Sequence, residues 1–251
     1  MTHVLINANC LDYLNGSPQT WTTCFCDPPD NIGLGYGSYN DHIPNKQYID
    51  LLETWLHLFI NKAKTVWFSF NAKWTFEVGR IVAEMVQRIS GLEAKPCVQT
   101  FTFGQHCQHD LGNNHRPLLR LRWFDAPLRP DAIRVPSWRQ ENGDKRADAR
   151  GRVPGDHFDF PRVTGNSRQR RPWHPTQLNE GLVERCIKLT TPPGESVLDP
   201  FAGTGTTLRV CKPLDYACTL IEIDKTYCAE IVKEHGMAPS EYIHRAMWSL
   251  I

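Results

Sequence analysis

The chain has 251 residues, 41% of them hydrophobic, enough to bury one substantial core with a smaller appended region. A formal charge of +1 argues against a bulk polyanion binder or a membrane-surface protein, and no apolar run approaches the length of a bilayer span. The average hides an asymmetry: Phe101 to Trp173 carries 14 Lys+Arg against 8 Asp+Glu, net +6, and the remainder carries 14 against 19, net −5.

Val4 to Ile6 reads as a short strand, followed by Asn7 to Cys10 and a helical turn over Leu11 to Leu14. Thr22 to Cys26 is a second strand ending at Asp27-Pro28-Pro29-Asp30, and Gly33, Gly35 and Gly37 with Tyr36 and Tyr39 form a loop. Lys46 to Ala63 places Leu51, Leu52, Trp55, Leu58 and Phe59 at helical spacing. Thr65 to Phe70 is a strand, Trp74 to Ile89 a helix, and Val98 to Phe103 a strand. Between Gly104 and Arg171, rich in Gly, Pro, Arg and Asp, only Leu118 to Phe124 reads as a strand. That stretch is too long for an ordinary connection, and its tryptophans argue against simple disorder. The alternation then resumes with a helix over Leu178 to Leu189, a strand over Ser196 to Asp199 and a helix over Thr206 to Cys211. A strand over Ala217 to Glu222 and a helix over Thr226 to Glu234 follow. This order predicts an α/β, Rossmann-like fold with a mostly parallel sheet. Residues 1–103 and 172–251 form the main domain, with 104–171 as an irregular insertion.

Nine cysteines without a CxxC pair, and an opening without a secretory-leader pattern, point to a reduced, cytoplasmic setting with most thiols buried. His106, Cys107, His109 and His115 cluster, but their spacing matches no familiar zinc pattern; a polar loop without a metal is expected.

Two segments carry the chemistry. Val197 to Asp199 runs into Pro200-Phe201-Ala202-Gly203-Thr204-Gly205-Thr206-Thr207, an apolar strand breaking into a glycine turn that opens a helix. Such a turn lets backbone N–H groups approach a ligand closely. Glu222 and Ile223 follow at the end of the next strand, about twenty residues on, the spacing by which ribose hydroxyls are held. The glycines do not fit G-x-G-x-x-G, which argues against a dinucleotide and for S-adenosylmethionine. The Asp27 turn supplies a carboxylate and proline carbonyls that accept hydrogen bonds. An exocyclic base amine is a poor nucleophile, because its lone pair is delocalised into the ring. Acceptors for its two hydrogens stabilise the tetrahedral nitrogen as it forms.

On these two motifs the chain resembles the beta-type DNA amino-methyltransferases, in which an Asp-Pro-Pro-aromatic loop comes first, the target-recognition region second and the cofactor half last. His174-Pro175-Thr176-Gln177 resembles that family's segment beside the methionine end of the cofactor, and Asn9-Cys10 its opening acidic segment at the cofactor adenine. The resemblance implies that Asp27, Pro28, Pro29 and Asp30 form the catalytic turn. It implies that Asn9, Cys10, Asp27, His174, Thr176, Gln177, Asp199, Phe201, Ala202, Gly203, Thr204, Gly205, Thr206, Thr207, Glu222 and Ile223 hold S-adenosylmethionine. The leading aspartate implies adenine N6 as target, with cytosine N4 as the alternative. Asp30 departs from the pattern, because a carboxylate cannot stack on an extruded base. Tyr36, Tyr39 or a tryptophan must substitute, or the chain is an altered, DNA-binding relative. Tyr36, Tyr39, Arg116, Arg120, Arg139 and Arg170 are the candidate contacts to double-stranded DNA, since arginine forks onto guanine or clamps phosphate. The reading leaves room for a homodimer, and for a solitary modifier or one half of a restriction system with a companion nuclease.

Overall fold

The computed structural model describes residues 1–102 and 107–244. In the first half, β1 (His3–Asn7), α1 (Cys10–Gly16), β2 (Trp21–Cys26), α2 (Asn45–Lys62), β3 (Ala63–Ser69), α3 (Thr75–Arg88) and β4 (Leu92–Thr100) follow one another. The middle holds β5 (His115–Trp123), α4 (Trp138–Glu141) and β6 (His157–Asp159). Then come α5 (Glu180–Thr190), β7 (Ser196–Asp199), α6 (Thr206–Cys211), β8 (Ala217–Glu222), α7 (Lys225–His235) and β9 (Tyr242–His244).

Among the described residues these strands form one sheet in the order β6-β4-β5-β3-β2-β7-β8-β1-β9. Only β5 runs against its neighbours, pairing antiparallel with both β3 and β4. The parallel core follows from the sequence. Strands buried on both faces read as continuous apolar runs, and successive side chains alternate between faces. Ile6, Cys24, Val66, Phe68, Leu198 and Ile221 join the cluster under α2 and α3. Their neighbours Leu5, Phe25, Trp67, Val197 and Leu220 join the cluster under α5, α6 and α7. Helix α2 starts one residue earlier than expected, and it buries Leu52, Trp55 and Phe59 of the expected stripe together with Tyr48, Leu56 and Ile60, while Leu51 and Leu58 are half-buried.

The α/β, mostly parallel architecture is as the sequence implies, and the differences lie at edges. Helix α5 starts at Glu180 instead of Leu178, because the Asn179 side chain accepts the Gly181 N–H at 2.9 Å and caps it. Strand β4 begins at Leu92, ahead of the expected Val98, because pairing with β5 extends across the exposed Glu93 to Pro96. Phe103, Gly104 and His106 lie outside the described residues. The segment expected to be irregular supplies β5 to the middle of the sheet, with Val66 beside Leu121 and Phe68 beside Leu119. Strands β6 and β9, of three residues each, and the four-residue α4 are too short to leave a periodic signal.

Candidate active site

Four neighbouring parallel strands, β2, β7, β8 and β1, deliver their C-terminal ends to one edge of the sheet. In open α/β sheets that edge is where ligands sit. The turn after each strand supplies part of one cavity. From β1 come Asn9 and Cys10, from β2 Asp27 and Pro29, from β7 Asp199 and the run Phe201 to Thr204, from β8 Glu222 and Ile223. Thr206 and Thr207 at the start of α6, His174, Thr176 and Gln177, and Tyr36 and Tyr39 complete it. The early acidic turn and the late glycine turn therefore share a cleft.

The glycine turn is built by backbone geometry and buried carboxylates. Gly203 and Gly205 have φ of +50° and +74°, a region side chains enter with strain. A Cβ on Gly203 would also lie 3.3 Å from His174 Nε2. Asp199 Oδ1 accepts the Phe201 N–H at 3.0 Å, and its Oδ2 accepts the Thr207 hydroxyl at 2.6 Å. Glu222 accepts the Gly203 N–H on Oε2 and the Asp224 N–H on Oε1, each at 2.8 Å. Burial pushes both carboxyls up to about 7, with the amide and hydroxyl donors working against it. Asn9 caps α1, its Oδ1 accepting the Leu11 N–H at 2.8 Å.

Opposite this turn, His174 Nδ1 donates to the Thr176 carbonyl at 2.6 Å, which leaves Nε2 as an acceptor toward Gly203. Burial lowers His174 to about 4, so the imidazole is neutral. Its ring packs 4.6 Å from that of Tyr227 and 5.6 Å from that of Tyr36. Gln177 braces its own loop, accepting the Arg171 N–H and donating to the Gln169 carbonyl at 2.7 Å.

The Asp27 turn is anchored from below. Tyr48 donates its hydroxyl to the Pro29 carbonyl at 2.6 Å, and Trp74 donates its indole N–H to the Asp30 carbonyl at 2.7 Å. No hydrogen bond to the Pro28 carbonyl is recorded among the described residues. Asp27 opens onto the cavity, whereas Pro28 and Asp30 are buried and do not line it. Asp30 accepts from Asn71 N–H at 3.0 Å and takes the guanidinium of Arg116 on both oxygens, at 2.8 and 3.0 Å. Arg116 also donates to Asp27 Oδ1 at 2.6 Å. Burial raises the Asp27 carboxyl above its ordinary range, Arg116 opposes that, and Asp30 adds to it.

The other expected residues are more dispersed. Gly205 shapes the turn behind the cavity wall. Arg120 lies over the Trp67 ring, 5.8 Å from its centre. Arg139 is exposed on α4, and Arg170 donates to the carbonyls of Arg171 and Pro175. Sequence reasoning missed Leu51 and Trp55, one turn apart on α2, and Asp224 and Tyr227, which also face the cavity. The helical stripe of α2 carried a signal for the first two. Trp55 packs edge-on against Phe201, 5.1 Å between centres, and so joins α2 to the glycine turn. Asp224 caps α7 and sits against Gly37, where any Cβ would collide with its carboxylate.

The type II methyltransferase M.HpaI of Haemophilus parainfluenzae is 30% identical over 217 residues, covering 83% of this chain and 65% of that protein. M.BglII of Bacillus subtilis is 35% identical over 136 residues, 49% of this chain and 37% of that protein, so the chain spans two thirds or less of both. The DNA adenine methyltransferase YhdJ of Escherichia coli K12 is 29% identical over 261 residues, covering 89% of this chain and 79% of that protein. Among solved structures, the PvuII DNA methyltransferase (cytosine-N4-specific) superposes with a TM-score of 0.69 at 12% identity, over 92% of this chain and 86% of that one. The M1.HpyAVI–SAM complex superposes with a TM-score of 0.62 at 17% identity, over 93% of this chain and 99% of that one. At such identities these likenesses establish the fold alone. The N6/N4 DNA methylase family model matches residues 22–234, most of the chain, and the chain belongs to that family.

Proposed function

We propose that this chain is a DNA amino-methyltransferase that uses S-adenosylmethionine and places the methyl group on adenine N6. One observation carries the reading: the turns after β2 and β7, far apart in sequence, bring Asp27 and the Gly203 turn to a single cavity. M.HpaI and M.BglII, which the chain resembles, are type II methyltransferases, and YhdJ is a DNA adenine methyltransferase.

The residues present fit the cofactor. The Gly203 turn is a cradle that a Cβ would fill, and Asp199 and Glu222 are buried carboxylates to which, among the described residues, no cationic side chain is bonded. A ligand carrying a sulfonium and an ammonium suits such a site. Each carboxylate oxygen accepts more than one hydrogen bond, so Glu222 retains capacity for ribose hydroxyls after serving two backbone amides. Asn9, Cys10 and Ile223 would flank the adenosine end, and His174, Thr176 and Gln177 the methionine end. When bound, S-adenosylmethionine supplies an electrophilic methyl group.

The chain's own residues do the rest. Asp27, on the cavity wall, accepts an amine hydrogen and favours the nitrogen as it turns tetrahedral; the Pro28 carbonyl, which the resemblance implies for the second hydrogen, does not line the cavity. Extrusion of the base from the duplex costs roughly a few kcal/mol. The rings of Tyr36 and Tyr39, on the cavity wall and 6.4 Å apart, offer the aromatic surface that Asp30 cannot. Incubation of the purified chain with labelled cofactor and mixed-sequence duplex DNA, followed by nucleoside analysis, tests this. N6-methyladenine is expected. N4-methylcytosine would retain the transferase and overturn the adenine assignment; no methylated base would overturn both.

A further inference from the structure

Asp30 stands where the resemblance leads one to expect an aromatic ring, and its surroundings give it a different job. Its carboxylate is buried beneath the catalytic turn and grips Arg116 in a two-bond fork, at 2.8 and 3.0 Å. Arg116 reaches the site from the start of β5, the strand contributed by the basic middle segment. Its Nε donates to Ser69 Oγ on β3 at 2.7 Å, and its Nη2 extends to Asp27 Oδ1 at 2.6 Å. One planar guanidinium therefore bridges both carboxylates of the turn and ties them to the neighbouring strand.

We propose that Asp30 and Arg116 form a positioning pair for Asp27. Asp30 fixes the guanidinium, and the guanidinium holds the Asp27 carboxylate as a charged acceptor on the cavity wall. The inference deepens the transferase reading of the same site and rests on it.

The charges explain why Asp27 needs Arg116. Two carboxylates lie beside a single cation, so the cluster of three carries a net charge of −1. Without Arg116, two adjacent, largely buried carboxylates would share a proton, and a protonated Asp27 offers the amine a donor where an acceptor is required. Arg116 opposes that protonation of Asp27, whose carboxyl burial pushes upward. Each carboxylate oxygen accepts about two hydrogen bonds, so the bond from Arg116 leaves acceptor capacity on Asp27 for the amine. The fork matters as much as the charge, since a rigid guanidinium fixes the carboxylate plane and a mobile ammonium does not. The other groups facing Asp27 are Cys26 on its own strand, Ser69 on β3, Asp199 at the end of β7 and Tyr36 from the glycine loop. None of them brings a second positive charge.

The test is the pH dependence of kcat for methylation of duplex DNA, with cofactor affinity measured on each variant as the check on folding. Arg116→Gln should move the acid limb of kcat upward by about one to two pH units and lower kcat at pH 7 by roughly 10- to 100-fold. Asp30→Asn removes the competing negative charge and should move the same limb downward. Arg116→Lys keeps the charge without the fork and should restore the position of the limb but only part of kcat. Opposite displacements in the first two variants, at near-constant cofactor affinity, are not produced by a merely structural role. Where Arg116→Gln does not fold, the Asp30→Asn and Arg116→Lys profiles decide alone. Unmoved limbs, or limbs moving in the same direction, overturn the pairing and leave the transferase intact. A wild-type chain that methylates nothing overturns both.

Discussion

The two halves of the sheet treat charge in opposite ways. Around β7 and β8, Asp199 and Glu222 are buried and, among the described residues, accept only from backbone amides and a hydroxyl of their own turns. Around β4, β5 and β6, arginines are met by aspartates or glutamates close at hand. Arg134 pairs with Asp131 at 2.5 Å, Arg146 with Asp144 at 2.9 Å, Arg150 with Asp148 at 3.0 Å, and Arg122 with Glu93 at 2.7 Å. The first region thus keeps negative charge in reserve for a ligand that is itself cationic. The second, despite its net +6, spends many of its cations locally, so fewer are left for phosphate than a count suggests. Arg116 carries a charge from β5 to the catalytic turn after β2, and Arg171, at the end of the basic segment, carries one to Glu234 on α7.

The largest effect expected on this contrast comes from its meeting point. Asp27→Asn removes the charged acceptor for the amine and should lower kcat by about 100- to 1000-fold, the scale of losing one directed hydrogen bond to a transition state. Cofactor affinity should fall far less, because Glu222 and the Gly203 turn are untouched. Single-turnover methylation beside calorimetric cofactor binding separates the two, and a parallel loss of both would place Asp27 in cofactor binding instead.

Glu222 gives the next effect, through pH. Its carboxyl titrates at about 7 in the protein, well above a free glutamate, because burial disfavours the charge. A ribose needs the ionised form as acceptor, so binding must expel a proton below pH 7 and none above it. Affinity for the cofactor should therefore be level above about pH 7.5 and weaken toward pH 6, by at most about tenfold per pH unit. His174, at about 4, stays neutral across this window and adds nothing. Burial also pushes Asp199 up to about 7, so the substitution at Glu222 is what separates the two carboxyls. Glu222→Gln should weaken binding at pH 8 by roughly 10- to 100-fold, about 1.4 to 2.7 kcal/mol, and flatten the slope. A slope that survives the substitution would assign it to Asp199.

What was legible from sequence divides along the same line. The glycine turn could be read because a positive φ and a close approach both demand glycine, and Gly203 has each. The parallel strands could be read because burial on two faces leaves uninterrupted apolar runs. Arg116 reads in the sequence as a candidate DNA contact, since its partners Asp27 and Asp30 lie 89 and 86 positions away and no local pattern links them. A signal did exist. A carboxylate at a turn position that resembles an aromatic one, pointing into a packed core, requires a cation, and the nearest strand richest in arginine was β5. Asn9 had a similar ambiguity: a residue that caps a helix and one that faces a ligand look alike in sequence, and in the structure it does the first at the rim of the cavity.

The smallest effect tests the middle segment directly. Arg139 is exposed on α4 beside Trp138, itself 73% exposed, and makes no ion pair among the described residues. Arg146, nearby and also exposed, is bonded to Asp144 through two nitrogens at 3.0 and 2.9 Å. If free cations contact phosphate and paired ones do not, the two substitutions should separate. Arg139→Ala should weaken DNA binding modestly and reduce the slope of log affinity against log salt by about 0.9, the release of one counterion. Arg146→Ala should change that slope by much less, because its charge is already balanced within the protein. Equal slopes for both variants would mean that the local pairs open on DNA, and then the full basic excess of the segment, rather than its unpaired remainder, is what meets the phosphate backbone.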